Sequence, residues 1–254
     1  MVQVVILGYG NVGQQLCKTL HEVNEVSVIQ VFSRNKNLIP TEVNNIPIVY
    51  ELLEIKEADI YIIAIPDDAI PPFSEKLPFQ NKLVIHTSGG LDIKKLSDKN
   101  RRGVFYPLQT FSKNRNLNFK EIPICIEAEN DSDLKILQQL GDKISEKVIE
   151  INSEKRAKLH LAAVFVNNFV NHLYSIGNDI LETNDLSFDL LRSLIMETGR
   201  KIKTLHPNQV QTGPAKRNDL KTIEKHLHLL EDEDHKKIYK QLTESIQNIH
   251  GKKL

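Results

Sequence analysis

The 254-residue sequence predicts an α/β fold, with a doubly wound, mostly parallel sheet followed by an all-helical C-terminal domain. Short apolar runs of strand length alternate with helical patterns up to residue 151, which is typical of a parallel sheet covered by helices on both faces. After residue 151 no β-rich run follows. We therefore predict an α/β domain over residues 1–151 and a helical domain over residues 152–254.

The strands are predicted from continuous apolar runs, which suit strands that are buried on both faces. Residues 2–7 form the first run, and IYIIAI at residues 60–65 is the strongest central strand. The other predicted strands span residues 26–32, 46–49, 83–85, 104–105, 122–126 and 148–151.

The helices are predicted from apolar residues that recur at helical spacing. Residues 11–23 place Val12, Leu16 and Leu20 on one face, and residues 131–144 lie between the last two strands. The helical domain is expected to contain helices over residues 153–182, 188–205, 219–231 and 234–249.

Composition and charge exclude several function classes. Thirty-three basic residues balance thirty-three acidic ones, which argues against non-specific attraction to nucleic acid or to an anionic membrane. The only cysteines, Cys17 and Cys125, form no CxxC pair, so we expect buried free thiols, no metal site and a reducing cytoplasm. The N-terminus lacks the charged region of a signal peptide, and no apolar run approaches the roughly 20 residues that span a bilayer.

Three glycines follow the first strand and open the first helix. In GxGxxG, Gly8 permits a tight turn, Gly10 lets backbone approach a pyrophosphate, and Gly13 lets helix and strand pack closely. This context predicts a Rossmann-like dinucleotide site, and the alternative is a glycine-rich turn that binds something else or nothing. The loop residues expected to contact the cofactor are Gly8, Tyr9, Gly10, Asn11, Val12 and Gly13.

The end of the second strand indicates which dinucleotide binds. An NAD site usually carries an acidic residue there, whereas this chain has Ser33 and Arg34. A hydroxyl followed by a guanidinium suits a 2′-phosphate, so we predict NADP; the alternative is an exposed loop arginine. After the fourth strand, Ile65 and Pro66 are expected to line the cofactor crevice, and Asp67 or Asp68 to cap the next helix.

A second set of candidates follows the fifth strand. In IHTSGG, Ser88, Gly89 and Gly90 are predicted to bind a substrate carboxylate or carbonyl, and His86 to transfer a proton. The alternative is a structural turn with a satisfied histidine. Gln109, in YPLQTF, is predicted to shape the same pocket.

The helix predicted over residues 153–182 carries a polar stripe. At about 100° per residue, His160, Asn167, Asn171 and Asn178 lie within about 20° of one line, and Asn168 lies about 80° to one side. The rest of the helix is apolar and expected to be buried. The stripe is therefore predicted to face substrate, with His160 and Asn168 as catalytic candidates and Asn167 and Asn171 as binding candidates. The alternative is a buried polar network at a helix or subunit interface.

The loop TGPAKRND offers two further substrate-binding candidates. Thr212 supplies a hydroxyl and Arg217 a cation, and the alternative is an ordinary capped loop between helices.

Taken together, these motifs resemble a family of NADP oxidoreductases with a Rossmann-like N-terminal domain and a helical C-terminal domain known as DUF2520. The matching segments run from one end of the chain to the other: ILGYGNVG, IAIPDDAI, IHTSGG, YPLQTF, HLAAVFVNNFVNHL and TGPAKRND. The chain also resembles the wider 6-phosphogluconate dehydrogenase-like group. That resemblance implies that the first domain binds the nicotinamide cofactor, and that the helical domain closes the substrate site and makes a dimer.

Two departures from these relatives concern the proton donor. The β-hydroxyacid dehydrogenases of the group place a catalytic lysine four residues before an asparagine of the long helix, and this chain has no lysine there. His86 or His160 would have to replace it. Family members often begin the YPLQTF motif with histidine, where this chain has Tyr106. If that histidine is catalytic in relatives, Tyr106 could replace it as a donor, or activity could be lost.

The favoured hypothesis is an NADP-dependent oxidoreductase that transfers a hydride to or from a small carbonyl, hydroxy-acid or imine substrate in an interdomain cleft. The alternative is an NADP-binding sensor or scaffold without redox turnover. The apolar C-terminal helices exceed what one small domain can bury, so a homodimer through these helices is expected.

Overall fold

The computed structural model describes residues 1–36, 46–112, 115 and 117–250. Within these ranges eight strands form one sheet in the order β3-β2-β1-β4-β5-β6-β7-β8. The strands are β1 (Val2–Leu7), β2 (Val26–Phe32), β3 (Ile48–Val49), β4 (Ile60–Ile63), β5 (Leu83–His86), β6 (Arg101–Pro107), β7 (Ile124–Ala128) and β8 (Val148–Glu150). Neighbouring strands are parallel except for the antiparallel pair β6 and β7. The first six strands follow the order of a dinucleotide-binding Rossmann fold, which confirms the predicted fold class.

The sheet is covered on both faces by helices, which explains the continuous apolar runs of its central strands. On one face, Val4 and Ile6 of β1 pack with Leu16 of α1 (Asn11–His21), in a layer that also includes residues of α3 (Asp131–Ile144). On the other face, Val5 and Leu7 belong to a layer with residues of α2 (Ile70–Ser74). Because side chains alternate along a strand, β1 needs apolar residues at consecutive positions to fill both layers.

Most predicted elements are present, and the differences have local causes. The fourth strand ends at Ile63 rather than residue 65, because the chain turns there toward Pro66. The sixth is longer than predicted, since Arg101 and Arg102 pair with β5 although their side chains are charged. The sequence pattern found only the buried centre of that strand.

The second half of the chain is helical in the described residues after Glu150. Its helices are α4 (Ser153–Ala163), α5 (Val170–Glu182), α6 (Asp189–Thr204), α7 (Pro207–Val210), α8 (Pro214–Arg217), α9 (Leu220–Leu229) and α10 (Glu233–His250). A π-helical segment, Val164–Phe169, joins α4 to α5 within the predicted long helix. No helix in the described ranges has the length and hydropathy that crossing a membrane requires.

The chain divides into two compact units, Met1–Asn167 and Asn168–Leu254. The change from strands to helices falls near the predicted boundary at residue 151, whereas the division between units comes later. The reason is that α4 packs on the sheet unit, where Leu159 contacts the layer that contains Val104 and Tyr106.

A buried ion pair holds the first turn of α4 to the sheet. Arg156 has no exposed surface, and its guanidinium pairs with Glu127 of β7 and donates to the Leu91 carbonyl. The Ser153 hydroxyl donates to Glu127 at 2.7 Å and accepts from Arg156 at 3.1 Å. This network links β7, α4 and the segment after β5.

The second unit has polar contacts of its own. Asp219 caps α9 by accepting from the Thr222 N–H at 3.1 Å, and the Gln247 amide of α10 donates to Asn218 at 2.8 Å. Its α6 exposes large apolar side chains, namely Leu190, Leu194, Met196 and Ile202.

Candidate functional site

The glycine loop after β1 is shaped by two close backbone approaches. Gly8 has a φ of +110°, and a Cβ there would lie 2.5 Å from the Ala64 carbonyl oxygen. A Cβ on Gly13 would lie 2.1 Å from the Gly8 carbonyl oxygen. Gly10 differs, because a Cβ there would have no atom within 4 Å. Gly8 and Gly13 are therefore required by the packing of the loop, whereas Gly10 borders open space that a ligand can enter.

The first turn of α1 is suited to bind an anion. Its N-cap, Gly10, has no side-chain cap, and the first turn contains no acidic residue. The N–H groups and the positive end of the helix dipole are thus available to a phosphate. The Asn11 side-chain amide donates to the Phe111 carbonyl at 3.0 Å. The Tyr9 side chain is buried in the core, so it does not reach a ligand at this helix end.

A cavity of about 430 Å³ lies where the carboxyl ends of β1, β4, β5 and β6 meet. Its size is typical of small-molecule sites, and ligands of open α/β sheets bind at this edge. All of its lining belongs to the first unit: Gly10, Asn11, Val12, Ala64, Ile65, Pro66, Asp67, Thr87, Ser88, Gly89, Tyr106 and His160. The structure thus brings together eight of the predicted site residues, from four separate motifs.

Tyr106 and His160 form a hydrogen-bonded pair in this cavity. The Tyr106 hydroxyl lies 3.1 Å from His160 Nδ1, and the two rings meet edge to face at 80°. A Cβ on Gly89 would lie 2.6 Å from His160 Nδ1 and 2.8 Å from Tyr106 Cζ, so the bare glycine makes room for the pair. Burial raises the pKa of Tyr106 to about 12, which keeps the phenol protonated at neutral pH.

Asp67 is held in the cavity by Ser88. The Ser88 hydroxyl donates to Asp67 Oδ2 at 2.6 Å and accepts from the N–H groups of Gly90 and Leu91 at 3.1 and 2.9 Å. The single proton and both lone pairs of the Ser88 hydroxyl are thus engaged, which argues against the predicted contact between this hydroxyl and substrate. The expected capping role of Asp67 or Asp68 is wrong, since the helical turns after Pro66 have no side-chain cap.

His86 lies away from the cavity lining and has no exposed surface. Its Nδ1 accepts from the Ser88 N–H at 3.1 Å, so the remaining proton of the neutral ring is on Nε2, which has no partner in the described residues. Burial, together with the positive charge of Arg156, lowers the pKa of His86 to about 3. A buried neutral imidazole cannot reach a substrate, and this geometry corrects the predicted role of His86 in proton transfer.

Ser33 and Arg34 follow β2, next to the glycine loop in the sheet order. The Ser33 hydroxyl is buried and accepts from the Asn35 N–H at 3.3 Å. Arg34 is exposed and forms no hydrogen bond or ion pair with the part of the chain that the structure describes. Its guanidinium is available to a ligand phosphate at this strand end.

The other predicted substrate residues lie outside this cavity. Gln109 is exposed and accepts from the Thr110 N–H at 2.8 Å, and Gly90 is exposed beside the cavity lining. Asn167 ends the first unit. The exposed candidates that belong to the second unit are Asn168, Asn171, Thr212 and Arg217.

The predicted single polar line along the long helix does not hold. The π-helical segment Val164–Phe169 lies between His160 and Asn171, and a π turn takes one more residue than an α turn. Residues beyond it are therefore rotated away from the line calculated for an uninterrupted α-helix. Such segments often mark functional sites, and this one contains Asn167 and Asn168.

Four residues of the cavity were not among the predicted site residues, and two of them, Asp67 and Tyr106, carry its chemistry. Asp67 was treated as a cap, and Tyr106 was considered only as a possible substitute for the histidine of relatives. Asp67 lies four residues after the end of β4 and Tyr106 is the second-to-last residue of β6, and this strand-end position was the available signal.

Comparisons with known proteins agree with this architecture. Residues 122–246 match the family model described as Domain of unknown function (DUF2520), and residues 1–77 match the model described as CoA binding domain. No curated protein matches the sequence.

Several solved structures share the fold over nearly the whole chain. Putative NADP oxidoreductase BF3122 from Bacteroides fragilis is 34% identical, with a TM-score of 0.90 and coverage of 97% of this chain and 98% of that one. Protein TM1727 from Thermotoga maritima is 20% identical, with a TM-score of 0.80 and coverage of 97% and 99%. Plasmodium falciparum pyrroline carboxylate reductase with NADP bound is 17% identical, with a TM-score of 0.57 and coverage of 98% and 97%.

The identity and coverage shared with the Bacteroides fragilis protein establish kinship, while the more distant structures show the fold alone. The chain therefore belongs to the same family as BF3122, and in this chain a Rossmann-like domain precedes a segment that matches DUF2520.

Proposed function

We propose that the protein is an NADP-dependent oxidoreductase that transfers a hydride to or from a small carbonyl, hydroxy-acid or imine compound. The observation that carries this proposal is the uncapped N-terminus of α1, which opens at Gly10 into the 430 Å³ cavity. The name of the Bacteroides fragilis relative and the NADP bound to the Plasmodium falciparum structure support it. We also propose that the protein acts in the reducing cytoplasm, where buried free cysteines such as Cys17 and Cys125 stay reduced.

The described residues fit a dinucleotide in a defined way. The N–H groups at the start of α1 would hold the pyrophosphate, and the free space at Gly10 would admit it. Arg34, at the end of β2, would bind the 2′-phosphate, because a guanidinium offers a fixed pair of donors to phosphate oxygens. Ile65 and Pro66 would line the cofactor crevice after β4.

The Tyr106–His160 pair is the proton donor that this cavity offers. A bound nicotinamide supplies or accepts the hydride. The Tyr106 hydroxyl donates a proton to the substrate atom that takes up the electrons of the reduced double bond, and His160 Nδ1, at 3.1 Å, returns a proton to the phenol oxygen. This pair takes the place of the lysine that the sequence lacks, and of His86, which is buried.

The alternative is an NADP-binding sensor or scaffold without turnover, and the missing lysine favours it. Both functions require the cofactor, so cofactor binding is tested first and turnover of carbonyl and imine compounds with NADPH then separates them.

The test of the cofactor site is a calorimetric titration with NADPH of the wild type and of Gly10→Ala. Because nothing lies within 4 Å of the added Cβ, the variant should fold with a stability loss of about 1 kcal/mol or less. We expect its NADPH affinity to fall at least about tenfold, since the methyl group occupies the space of the pyrophosphate. Unchanged affinity would contradict the proposed position of the cofactor.

A further inference from the structure

We infer that this cavity selects a cationic substrate, a protonated imine or the corresponding amine, and that Asp67 binds its nitrogen. The inference deepens the proposed function and rests on it, because the reduced cofactor would share the cavity. Among the three substrate classes left open above, it favours the imine.

The charge of the cavity points to this class. Of the described residues that line it, Asp67 is the only one with a carboxylate, and none is a lysine or an arginine. A hydroxy-acid substrate brings a carboxylate close to its reacting carbon. A carboxylate is bound by a cationic side chain or by several N–H donors. In this lining it would meet Asp67 instead, whereas a cationic nitrogen would be attracted.

The Asp67 carboxylate is held in place before any ligand arrives. Its Oδ2 accepts from the Ser88 hydroxyl at 2.6 Å, and that hydroxyl is itself fixed by the N–H groups of Gly90 and Leu91. Asp67 Oδ1 accepts no hydrogen bond from the described residues. One oxygen thus anchors the side chain, and the other is available to an N–H⁺ donor in the cavity.

Asp67 and the Tyr106–His160 pair act on the same space. All three side chains line one cavity, and a Cβ on Gly89, the residue after Ser88, would lie 2.6 Å from His160 Nδ1 and 2.8 Å from Tyr106 Cζ. Burial raises the pKa of Tyr106, and the negative charge of Asp67 contributes in the same direction to a smaller extent.

The chemistry of this arrangement balances. The imine binds already protonated, and its nitrogen is paired with Asp67. With a reduced nicotinamide bound, the iminium carbon would receive the hydride, and the C=N π electrons would become a nitrogen lone pair. Tyr106 would give its proton to that lone pair and His160 would return one to the phenol oxygen from Nδ1, so that the products are an ammonium ion and the oxidised cofactor.

The test compares two probes of the same shape and different charge. Piperidinium and tetrahydropyran differ only in N–H₂⁺ against oxygen, and cyclohexanecarboxylate supplies the opposite charge. Their dissociation constants are measured by ligand-observed NMR on the full chain, with and without NADP⁺. We expect piperidinium to bind at least about tenfold more tightly than tetrahydropyran, and the carboxylate to bind more weakly than both.

The matched variants are Asp67→Asn and Asp68→Asn. Asparagine at position 67 keeps an acceptor for the Ser88 hydroxyl and removes the charge, so the preference for piperidinium should disappear. Asp68 is exposed, as Asp67 is, but it does not line the cavity, so its variant should keep the preference. Absence of piperidinium binding, equal binding of the two rings, or a preference that survives in Asp67→Asn would overturn the inference.

The titrations separate this inference from the proposed function. If NADP⁺ does not bind, the oxidoreductase proposal fails, and the probe preference in the nucleotide-free protein still decides the role of Asp67. If NADP⁺ binds and the probes show no charge preference, the inference alone fails.

Discussion

Gly89 determines whether Tyr106 and His160 can form their hydrogen bond. In Gly89→Ala the new Cβ would lie 2.6 Å from His160 Nδ1 and 2.8 Å from Tyr106 Cζ, so the rings must separate. We predict a stability loss of about 1–3 kcal/mol from overpacking and a changed ¹⁵N shift of His160 Nδ1. Urea denaturation and NMR of the histidine rings measure the two effects.

Gly90→Ala is the matched control for this substitution. Its Cβ would lie 3.8 Å from the nearest atoms, which is ordinary contact, so a change within about 0.5 kcal/mol is expected. Similar losses in both variants, or a His160 signal unchanged in Gly89→Ala, would argue against the described packing.

His86 should make the stability of the protein depend on pH. Its pKa is lowered to about 3 in the folded state and is ordinary in the unfolded state, so the unfolded chain binds the proton more readily. The stability present above pH 6.5 is therefore lost progressively as the pH falls toward 3. At pH 5 the loss is about 2 kcal/mol from this residue alone.

Urea unfolding at pH 7 and pH 5, on the wild type and on His86→Asn, measures this contribution. Asparagine retains an acceptor near the position of Nδ1 and cannot titrate. We expect the variant to lose clearly less free energy of unfolding between the two pH values. The same loss in both proteins would mean that His86 is accessible to protons in the folded state.

At the scale of elements, the attachment of α4 to the sheet depends on Arg156. Replacing it in Arg156→Met removes the buried partner of Glu127 and a donor to the Leu91 carbonyl. Breaking a buried ion pair costs about 3–5 kcal/mol, because it leaves the remaining charge uncompensated. Urea denaturation should show a loss of this size.

Lys158 provides the comparison on the same helix. It pairs with Glu154, both side chains are more than two-thirds exposed, and Lys158→Met should cost about 0.5 kcal/mol or less. A small loss in Arg156→Met as well would show that the start of α4 is not held by the buried pair.

The elements show which features the sequence can predict. Strands β1 and β2 were predicted with correct bounds, because an apolar run and the turn residues that end it are local features. The ion pair of Arg156 with Glu127 joins residues 29 apart, and no local pattern indicates it. The π-helical segment was not predicted for another reason: the helical pattern was analysed with one period, about 100° per residue, along its whole length.

The same limit applies to the candidate site. Strand-end position identified Gly10, Ile65, Ser88 and Gly89 as neighbours of one cavity, since parallel strands align their carboxyl ends. It did not indicate that the Ser88 hydroxyl is used up by the turn and by Asp67, or that His86 is buried. Those facts depend on which hydrogen bonds form across strands, and therefore on the three-dimensional structure.

At the scale of the whole molecule, we propose that two copies of the chain pair through the C-terminal helices. Leu190 and Leu194 lie one turn apart on α6 and are 68% and 65% exposed, and Met196 is 56% exposed. Exposed apolar side chains one turn apart on a helix are typical of a subunit interface. Light scattering at micromolar concentration should give twice the mass of one chain, and Leu194→Glu should give the mass of one.

The control for the assembly is Lys237→Glu, an exposed change on α10 that should leave the mass unchanged. A wild-type protein with the mass of a single chain would rule out the dimer.

The central claim is that this Rossmann-like domain binds NADP through the glycine loop and Arg34. The most direct test is calorimetric titration with NADPH and NADH of the wild type and of Arg34→Ala. Our account predicts that the wild type binds NADPH at least about tenfold more tightly than NADH. It also predicts that Arg34→Ala lowers the affinity for NADPH to that for NADH and leaves NADH binding unchanged. Binding of neither nucleotide, or an NADPH affinity that does not depend on Arg34, would contradict the account.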